Sequence, residues 1–196
     1  SGFPKNNDFR ANSSRASMNL DASINLKITF SEAFEGTERV LSVNEDRVQI
    51  KIPRGIRSGA KLRVKGKGNI QPGTGKRGDL YLIIEVESHQ IWELEGNVLR
   101  AELPVSFDEI ALGAEVIVMT PDGEAQLSIP SGIKPGQSLR LKNKGWPIKN
   151  GRGDLIFTLK LDLPKEWDPK ELELINQLYK IRINDPRKDW VQSARL

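Results

Sequence analysis

The sequence contains no cysteine and a single histidine, His89. The absence of cysteine excludes disulfide bonds, a thiolate nucleophile and every cysteine-based zinc or iron–sulfur site. One histidine cannot supply a multi-histidine metal site, and no pair of carboxylates recurs in a setting that suggests acid–base catalysis. We therefore expect a protein that is not an enzyme and that has no metal or other cofactor.

Long apolar runs are also missing. No stretch approaches the roughly twenty residues that a membrane-spanning helix needs, and no secretory signal pattern opens the sequence. The sequence thus predicts a cytoplasmic protein without a membrane partner.

The formal charge of the 196 residues is +4, and the positive charge is unevenly placed. Residues 45–80 contain ten Lys and Arg against three acidic residues. Such an excess is compatible with a solvated set of strand and turn faces. It is equally compatible with an anionic partner, either nucleic acid or an acidic peptide tail.

One segment occurs twice in the sequence. Residues 52–68 read IPRGIRSGAKLRVKGKG and residues 129–145 read IPSGIKPGQSLRLKNKG, with ten of seventeen positions identical at an offset of 77. The tetrapeptide RGDL at 77–80 recurs at 152–155, so the second copy is two residues shorter in between. The repeat predicts two modules of roughly 75 residues each.

Period-two alternation of apolar residues begins at Ser23 and predicts strands in both copies. The predicted strands are 24–30, 39–43, 47–52, 61–65 and 79–87 in the first copy, and 98–104, 115–120, 125–129, 138–142 and 154–162 in the second. Gly and Pro separate these runs, as in a chain of antiparallel strands. Residues 1–20 are rich in Ser, Asn and Arg and are expected to be a flexible linker remnant.

Helices are predicted at three places. Short helices are expected near Ser31 and Asp108, where SEAFEG and DEIALG place a capping residue before helix formers. A longer helix is expected after Asp168, because a capping box and a proline at the first helical position precede residues with helical apolar spacing. Its apolar face predicts either a dimer contact or packing against the second module.

Two glycine motifs have structural explanations. Residues 73–78 satisfy G-x-G-x-x-G, but a strand follows where a dinucleotide site needs a helix, so we predict a loop with positive φ angles. The two RGD triplets, at 77–79 and 152–154, occupy the same place in the repeat and predict a turn that aligns the last strand. His89 is expected to have a hydrogen-bonded structural role.

Taken together, the motifs resemble the C-terminal substrate-binding region of the DnaJ family of J-domain co-chaperones. The resemblance rests on INLKITFSEAFEGTERVLSV, VQIKIPRGIRSGAKLRVKGKG and GKRGDLYLIIEVESHQIWELEG, and on their counterparts in the second copy. It covers about residues 21–165 and implies a mainly β fold with two tandem antiparallel β-sandwich-like domains of similar fold, short helices and a C-terminal helix. Without cysteine, the chain resembles the class that lacks the zinc finger.

The resemblance also implies a division of the chain. Residues 21–95 correspond to C-terminal domain I, which binds clients, and residues 96–165 to C-terminal domain II, a spacer. Residues 166–196 correspond to a dimerisation helix and tail. The His-Pro-Asp motif of a J-domain does not occur, so these residues are expected to be a fragment that binds clients without stimulating ATP hydrolysis.

Three sets of residues are carried over from the family. The client groove maps to Ile24, Leu26, Ile28, Arg39, Leu41 and Val43. The five apolar residues of this set are also compatible with the core face of the first sheet. An acidic tail of a DnaK-type partner chaperone could bind Lys51, Arg54, Lys61 and Lys65. Homodimerisation is assigned to Leu172, Ile175, Leu178 and Tyr179.

A family signature around His89 departs from its usual form. It reads His89, Trp92, Leu94, Gly96 and Asn97, without the Arg and Asp that the family usually has there. The expected function is binding of hydrophobic segments of unfolded clients for delivery to a DnaK-type chaperone. The alternative is a DNA-binding module that uses the basic first domain.

Overall fold

The computed structural model describes residues 19–43 and 46–194. The predicted linker at 1–20 therefore lies almost wholly outside the described residues. The chain divides into two units, of which the first contains the residues up to Ala101 together with 120–122 and 140–157. The second contains 102–119, 123–139 and the residues from Thr158 onward. The functional division into 21–95, 96–165 and 166–196 stays a prediction.

The fold is mainly β, as predicted. Strands β1 to β6 are Ala22–Ile28, Thr37–Val43, Asp46–Ile52, Lys61–Val64, Leu80–Val86 and Glu93–Glu95. Strands β7 to β13 are Val98–Val105, Ala114–Thr120, Gly123–Ile129, Ser138–Leu141, Pro147–Ile148, Gly151–Arg152 and Leu155–Leu161. All ten predicted strands are present, and the sequence pattern missed only the short β6, β11 and β12.

Two sheets form the first unit's β1 to β5 region. One is three-stranded with the order β1-β5-β4, and the other is the hairpin β2-β3. The β2-β3 and β4-β5 pairs are antiparallel, as expected. The pair β1-β5 is parallel, which corrects the expectation of purely antiparallel modules. The parallel pairing is possible because the segment from 29 to 79 is long enough to act as a crossover connection.

In the later part of the chain, a four-stranded sheet has the order β10-β13-β7-β6. The pairs β8-β9 and β11-β12 form two-stranded sheets. The antiparallel pair β6-β7 is joined by a turn at Gly96, which has a φ of 56°. The two copies of the sequence repeat thus form strands and helices in a similar order.

The two short helices are α1, Phe30–Glu35, and α2, Phe107–Leu112. Their caps are not Ser31 and Asp108, as predicted, but Thr29 and Ser106. In each, the hydroxyl of the cap residue accepts from the backbone N–H of a glutamate three residues later, whose carboxylate accepts from the backbone N–H of the cap. In the first copy Phe30 was assigned to the predicted strand 24–30, whereas Phe30 and Phe107 are each the first residue of a helix.

The C-terminal helix α3 is Pro169–Ile181, with Asp168 as its cap and Pro169 at the first position. A further helix, α4, is Lys188–Ser193 and was not predicted. Neither helix has a buried residue. Among the described residues, no helix is long and apolar enough to cross a membrane.

The glycine motifs are structural, as predicted. Gly73 and Gly75 have φ angles of 85° and 65°, so the segment is a loop in which glycine avoids backbone strain. The aspartates of the two RGD triplets fasten the preceding turns. Asp79 accepts from the backbone N–H of Gly66 at 2.8 Å, and Asp154 accepts from that of Asn143 at 3.0 Å.

Candidate functional site

The inward face of β1 contains the first three predicted groove residues. The register pairs Ile24 with Leu82 and Leu26 with Ile84, so these side chains share the face that carries the core residues of β5. Leu26 and Ile28 are buried, at 8% and 1% exposed, whereas Ile24 is 42% exposed. Of the three, Ile24 is therefore the side chain that a ligand can reach without a rearrangement of the core.

The inward face of β2 contains the other three. Arg39, Leu41 and Val43 alternate with exposed residues and are half-buried. Leu41 lies opposite Val48 in the hairpin, and Val48 is buried. Val40, on the opposite face of β2, is 64% exposed. Leu41 and Val43 thus lie at the margin of the core, with part of each side chain accessible.

Arg39 connects the two strands. Its guanidinium donates to the Glu32 carboxylate from Nε at 2.9 Å and from Nη2 at 2.6 Å, and Nη1 donates to the backbone carbonyl of Lys27 at 3.1 Å. Glu32 also accepts from the backbone N–H of Thr29 at 2.8 Å. The hydrogen bonds from Arg39, followed by that from Thr29, hold the pKa of Glu32 below its ordinary value. Arg39 is therefore a fixed link between β2, α1 and the end of β1.

The structure thus brings the ends of β1 and β2 together through Arg39. In its sheet β1 is an edge strand, with β5 on one side. Leu26 and Ile28 belong to the core, and Ile24, Leu41 and Val43 are the accessible apolar members of the predicted groove. Whether they bind a ligand stays a prediction.

The four predicted tail-binding cations lie on different elements. Lys51 is on the exposed face of β3 and lines a shallow hollow of about 260 Å³ with Glu35 and Glu38. Arg54 follows β3, and its guanidinium lies 5.8 Å from the centroid of the Phe34 ring.

Lys61 is the first residue of β4 and Lys65 directly follows the strand; both are exposed, as is Arg63 between them. Arg63 is paired with Asp79 at 2.5 Å. Strands β3 and β4 belong to different sheets. We therefore distinguish two basic places, Lys51 with Arg54 and Lys61 with Lys65.

The predicted dimerisation residues lie on α3. Leu172, Leu178 and Tyr179 are exposed, and Ile175 is half-buried. Residues of α3 line a hollow of about 370 Å³ together with Phe107 and Trp167, and no residue of α3 is buried. Most of the apolar face of α3 is consequently uncovered in a single chain.

The sequence pattern missed a cavity in the first unit. It has a volume of about 670 Å³ and lies beside an aromatic cluster of Phe30, His89, Trp92 and the buried Trp146. The His89 ring is 5.4 Å from that of Phe30, and its Nδ1 accepts from the backbone N–H groups of Ile91 and Trp92 at 3.1 and 3.2 Å. His89 thus has the predicted structural role, because it fixes the loop that lines the cavity.

The residue types that are rare in this sequence could have indicated the cavity. Two of the four tryptophans and the one histidine meet there: His89 and Trp92 are three residues apart, and Trp146 comes from 54 residues further along the chain. Asn97, at the end of the altered signature, accepts a hydrogen bond from Arg57, which also lines the cavity. Within the ranges that the structure describes, no group of three or more potential metal ligands occurs.

Comparison with known proteins agrees with the motifs and the fold. The DnaJ C terminal domain family matches residues 22–164. A DnaJ-like protein of Synechocystis sp. is 40% identical over all 196 residues, which cover 59% of that relative. A chaperone protein DnaJ of Deinococcus proteolyticus is 40% identical over 78% of this chain and 48% of its own length.

A third relative has a different name. A curved DNA-binding protein of Serratia proteamaculans is 42% identical over 73% of this chain and 47% of its own length. The chain spans about half the length of the curated relatives it matches. The match to residues 22–164 shows that this chain belongs to the DnaJ C-terminal-domain family, a family of chaperone proteins and not of enzymes.

Proposed function

We propose that this chain binds apolar segments of unfolded proteins in extended form, in the cytoplasm, for delivery to a DnaK-type chaperone. Membership of the DnaJ C-terminal-domain family and a relative named chaperone protein DnaJ support this function. The observation that carries it is the edge position of β1 beside the half-buried apolar side chains of β2.

An extended peptide can add to an edge strand by backbone hydrogen bonds. Arg39 already occupies the carbonyl oxygen of Lys27, so we place the peptide along the earlier part of β1, next to Ile24. Apolar peptide side chains would then cover Ile24 and Leu41, at roughly 25 cal/mol for each Å² of apolar surface removed from water.

Replacement of accessible groove residues tests this assignment. We expect Ile24→Ser and Leu41→Ser each to weaken binding of a fluorescent unfolded-client peptide by about tenfold, as loss of roughly 1.4 kcal/mol predicts. Val40→Ser is the matched control, because Val40 lies on the opposite face of β2 and is exposed. Unchanged affinity in both groove variants, with circular dichroism showing that they are folded, would refute the groove.

For the partner chaperone, the two basic places are not equivalent. Lys51 shares its hollow with two glutamates, which repel an acidic peptide, whereas Lys61 and Lys65 are exposed on either side of the exposed Arg63. We therefore expect Lys61→Ser with Lys65→Ser to weaken binding of an acidic peptide, and Lys51→Ser to have little effect. The reverse order in a titration at low salt would contradict this placement.

Homodimerisation is proposed through α3. Its exposed Leu172, Leu178 and Tyr179 form an apolar surface that a second copy can cover. Sedimentation of the intact chain should give a dimer, and a chain truncated after Pro164 should give a monomer. A dimer presents two client sites, so the second binding event becomes intramolecular. A monomer in both experiments would refute the dimer.

DNA binding is the second candidate. Relatives named curved DNA-binding protein and the cations of β4 favour it. Contacts to phosphates make affinity fall steeply as salt rises. An electrophoretic mobility shift with duplex DNA at about 50 and 200 mM salt tests the idea. Absence of a shift at low salt would remove this candidate.

A further inference from the structure

The imidazole of His89 fastens the loop between β5 and β6. Its Nδ1 accepts from the backbone N–H groups of Ile91 and Trp92, at 3.1 and 3.2 Å. The structure shows no other hydrogen bond from a backbone N–H of residues 88–92 to the described part of the chain. A single nitrogen atom therefore holds the backbone of this segment, which we call the 88–92 loop.

The 88–92 loop places aromatic rings beside the cavity of about 670 Å³. The His89 ring lies 5.4 Å from the ring of Phe30 and 6.4 Å from that of Trp92. Trp92 is half-buried, and its ring lies 6.2 Å from the ring of the buried Phe157. Because the N–H of Trp92 is one of the two that His89 holds, the position of this indole depends on the imidazole.

The geometry specifies the protonation state of His89. A ring nitrogen that accepts hydrogen bonds carries no proton, so the imidazole is neutral with its proton on Nε2. Uptake of a second proton puts an N–H on Nδ1, which then no longer accepts from Ile91 and Trp92. Imidazole is the side chain whose charge ordinarily changes between about pH 8 and pH 5. His89 is exposed, so a proton reaches it from solvent without opening of the fold.

Four charged side chains line the same spaces as His89. Arg57, Glu87 and Glu93 line the large cavity with it, and Glu35 lines a second, smaller hollow with it beside α1. A positively charged imidazole therefore has opposite charges in these spaces, whereas the two N–H groups that Nδ1 accepts favour the neutral form.

We propose that His89 is a pH-sensitive switch, which in its neutral form holds the 88–92 loop and the Trp92 ring beside the cavity and on protonation releases both. The closed loop binds one proton fewer at this imidazole than the released loop, so the closed loop loses stability as the pH falls. The released N–H groups bind water instead, so the rest of the fold is expected to stay intact. The switch is independent of the proposed groove and of the proposed dimer.

Nuclear magnetic resonance tests the switch directly. His89 is the single histidine of the sequence, so one imidazole signal reports its charge without overlap. We expect the Nε2–H tautomer near pH 8 and the imidazolium near pH 5. Over this range the amides of Ile91 and Trp92 should lose at least about tenfold of their protection against hydrogen exchange, after correction for the intrinsic rate at each pH. The Gly36 amide, which donates to the carbonyl of Glu32 at 2.9 Å, should keep its protection.

His89→Asn is the matched variant. A side-chain amide oxygen can accept from the backbone N–H groups that follow it, as in an Asx turn, and it does not titrate. We therefore expect His89→Asn to keep the protection of the Ile91 and Trp92 amides near pH 5. His89→Ala, which has no acceptor, should lack this protection at both ends of the range.

Four results would overturn the switch. An Nδ1–H tautomer near pH 8 would contradict the hydrogen bonds on which it rests, and an imidazole that stays neutral near pH 5 would leave nothing to switch in this range. Unchanged protection of the Ile91 and Trp92 amides while the imidazole becomes charged would show that the loop has another support. A loss in His89→Asn as large as in the unchanged chain would assign the pH effect to another group.

Discussion

Trp146 donates its indole N–H to the backbone carbonyl oxygen of Gly55 across 2.9 Å. Its side chain is fully buried and meets the rings of Phe30 and Phe34 edge-on, with centroids 5.0 and 5.6 Å away. A buried indole N–H needs an acceptor, and here the acceptor lies 91 residues earlier in the chain. One side chain thus fixes the loop after β3 beside the end of α1.

Replacement of Trp146 by phenylalanine should separate this hydrogen bond from ring packing. We expect Trp146→Phe to lower the free energy of unfolding by about 2 kcal/mol, because a buried carbonyl loses its donor and a smaller ring leaves a cavity. Urea denaturation measures the change. Trp92→Phe is the control, since the half-buried Trp92 contacts Phe157 through its ring. An equal loss in both variants would contradict a special role for the Gly55 bond.

Gly55 and Gly132 form an internal pair for a second prediction. They are 77 residues apart in the repeat, with φ angles of 75° and 72°. A Cβ on Gly55 would lie 2.5 Å from the carbonyl oxygen of Pro147, whereas one on Gly132 would meet nothing within 4 Å. Gly132→Ala should cost about 1 kcal/mol from backbone strain, and Gly55→Ala at least about 2 kcal/mol more because backbone must move. Equal urea midpoints for the two variants would contradict the close approach.

Much of the fold could be predicted from the sequence because the signals are local. The alternation of apolar and polar residues in segments such as 24–28 and 80–86 indicates a strand with one buried face. The capping box at Asp168 marks the start of α3. The parallel pairing of β1 with β5 could not be predicted in this way. This pairing depends on which strands, distant in the sequence, lie side by side. The alternation of apolar and polar residues does not show it, because it is the same in parallel and antiparallel edge strands.

The candidate site was less predictable for a related reason. Ile24, Leu26 and Ile28 alternate regularly in the sequence, yet only Ile24 is exposed, and alternation alone does not show where along a strand the burial ends. The guanidinium of Arg39, a predicted groove residue, donates to Glu32, a contact that strand alternation does not predict. The cavity could not be predicted from the segment around His89 alone, because Phe30, Ile56 and Trp146 reach it only through tertiary packing.

Asp79 should give the protein a pH-dependent stability. The hydrogen bond from the Gly66 N–H, followed by that from Arg63, lowers the pKa of Asp79 from its ordinary 3.8. The folded-state pKa lies below the unfolded one, so the stabilisation is present above about pH 4 and is lost as the pH falls through the folded-state value. We expect Asp79→Asn to destabilise the protein at pH 7 and to have a shrinking effect toward pH 3.

Urea midpoints of both proteins from pH 7 to pH 3 check this expectation. Asp162→Asn is the control, because Asp162 directly follows β13 and is exposed. The Asp154 carboxylate occupies the equivalent place in the second copy, where the Asn143 N–H and Arg140 lower its pKa. Asp154→Asn should therefore show the same pH profile. A constant difference between the Asp79 variant and the unchanged protein at all pH values would reject the carboxylate as the cause.

The Arg39–Glu32 pair should contribute more than an ordinary surface ion pair. Its two side chains are 33% and 25% exposed, and Glu32 also caps α1 through Thr29. In a double-mutant cycle with Arg39→Met and Glu32→Gln, we expect a coupling free energy of about 1 kcal/mol, measured by urea denaturation. The same cycle on Lys160 and Glu102, which are about two-thirds exposed, should give a coupling near zero. Equal coupling free energies in the two cycles would show that the bidentate contact of Arg39 with Glu32 is not what links β2 to α1. Other contacts would then have to hold the accessible groove residues in place.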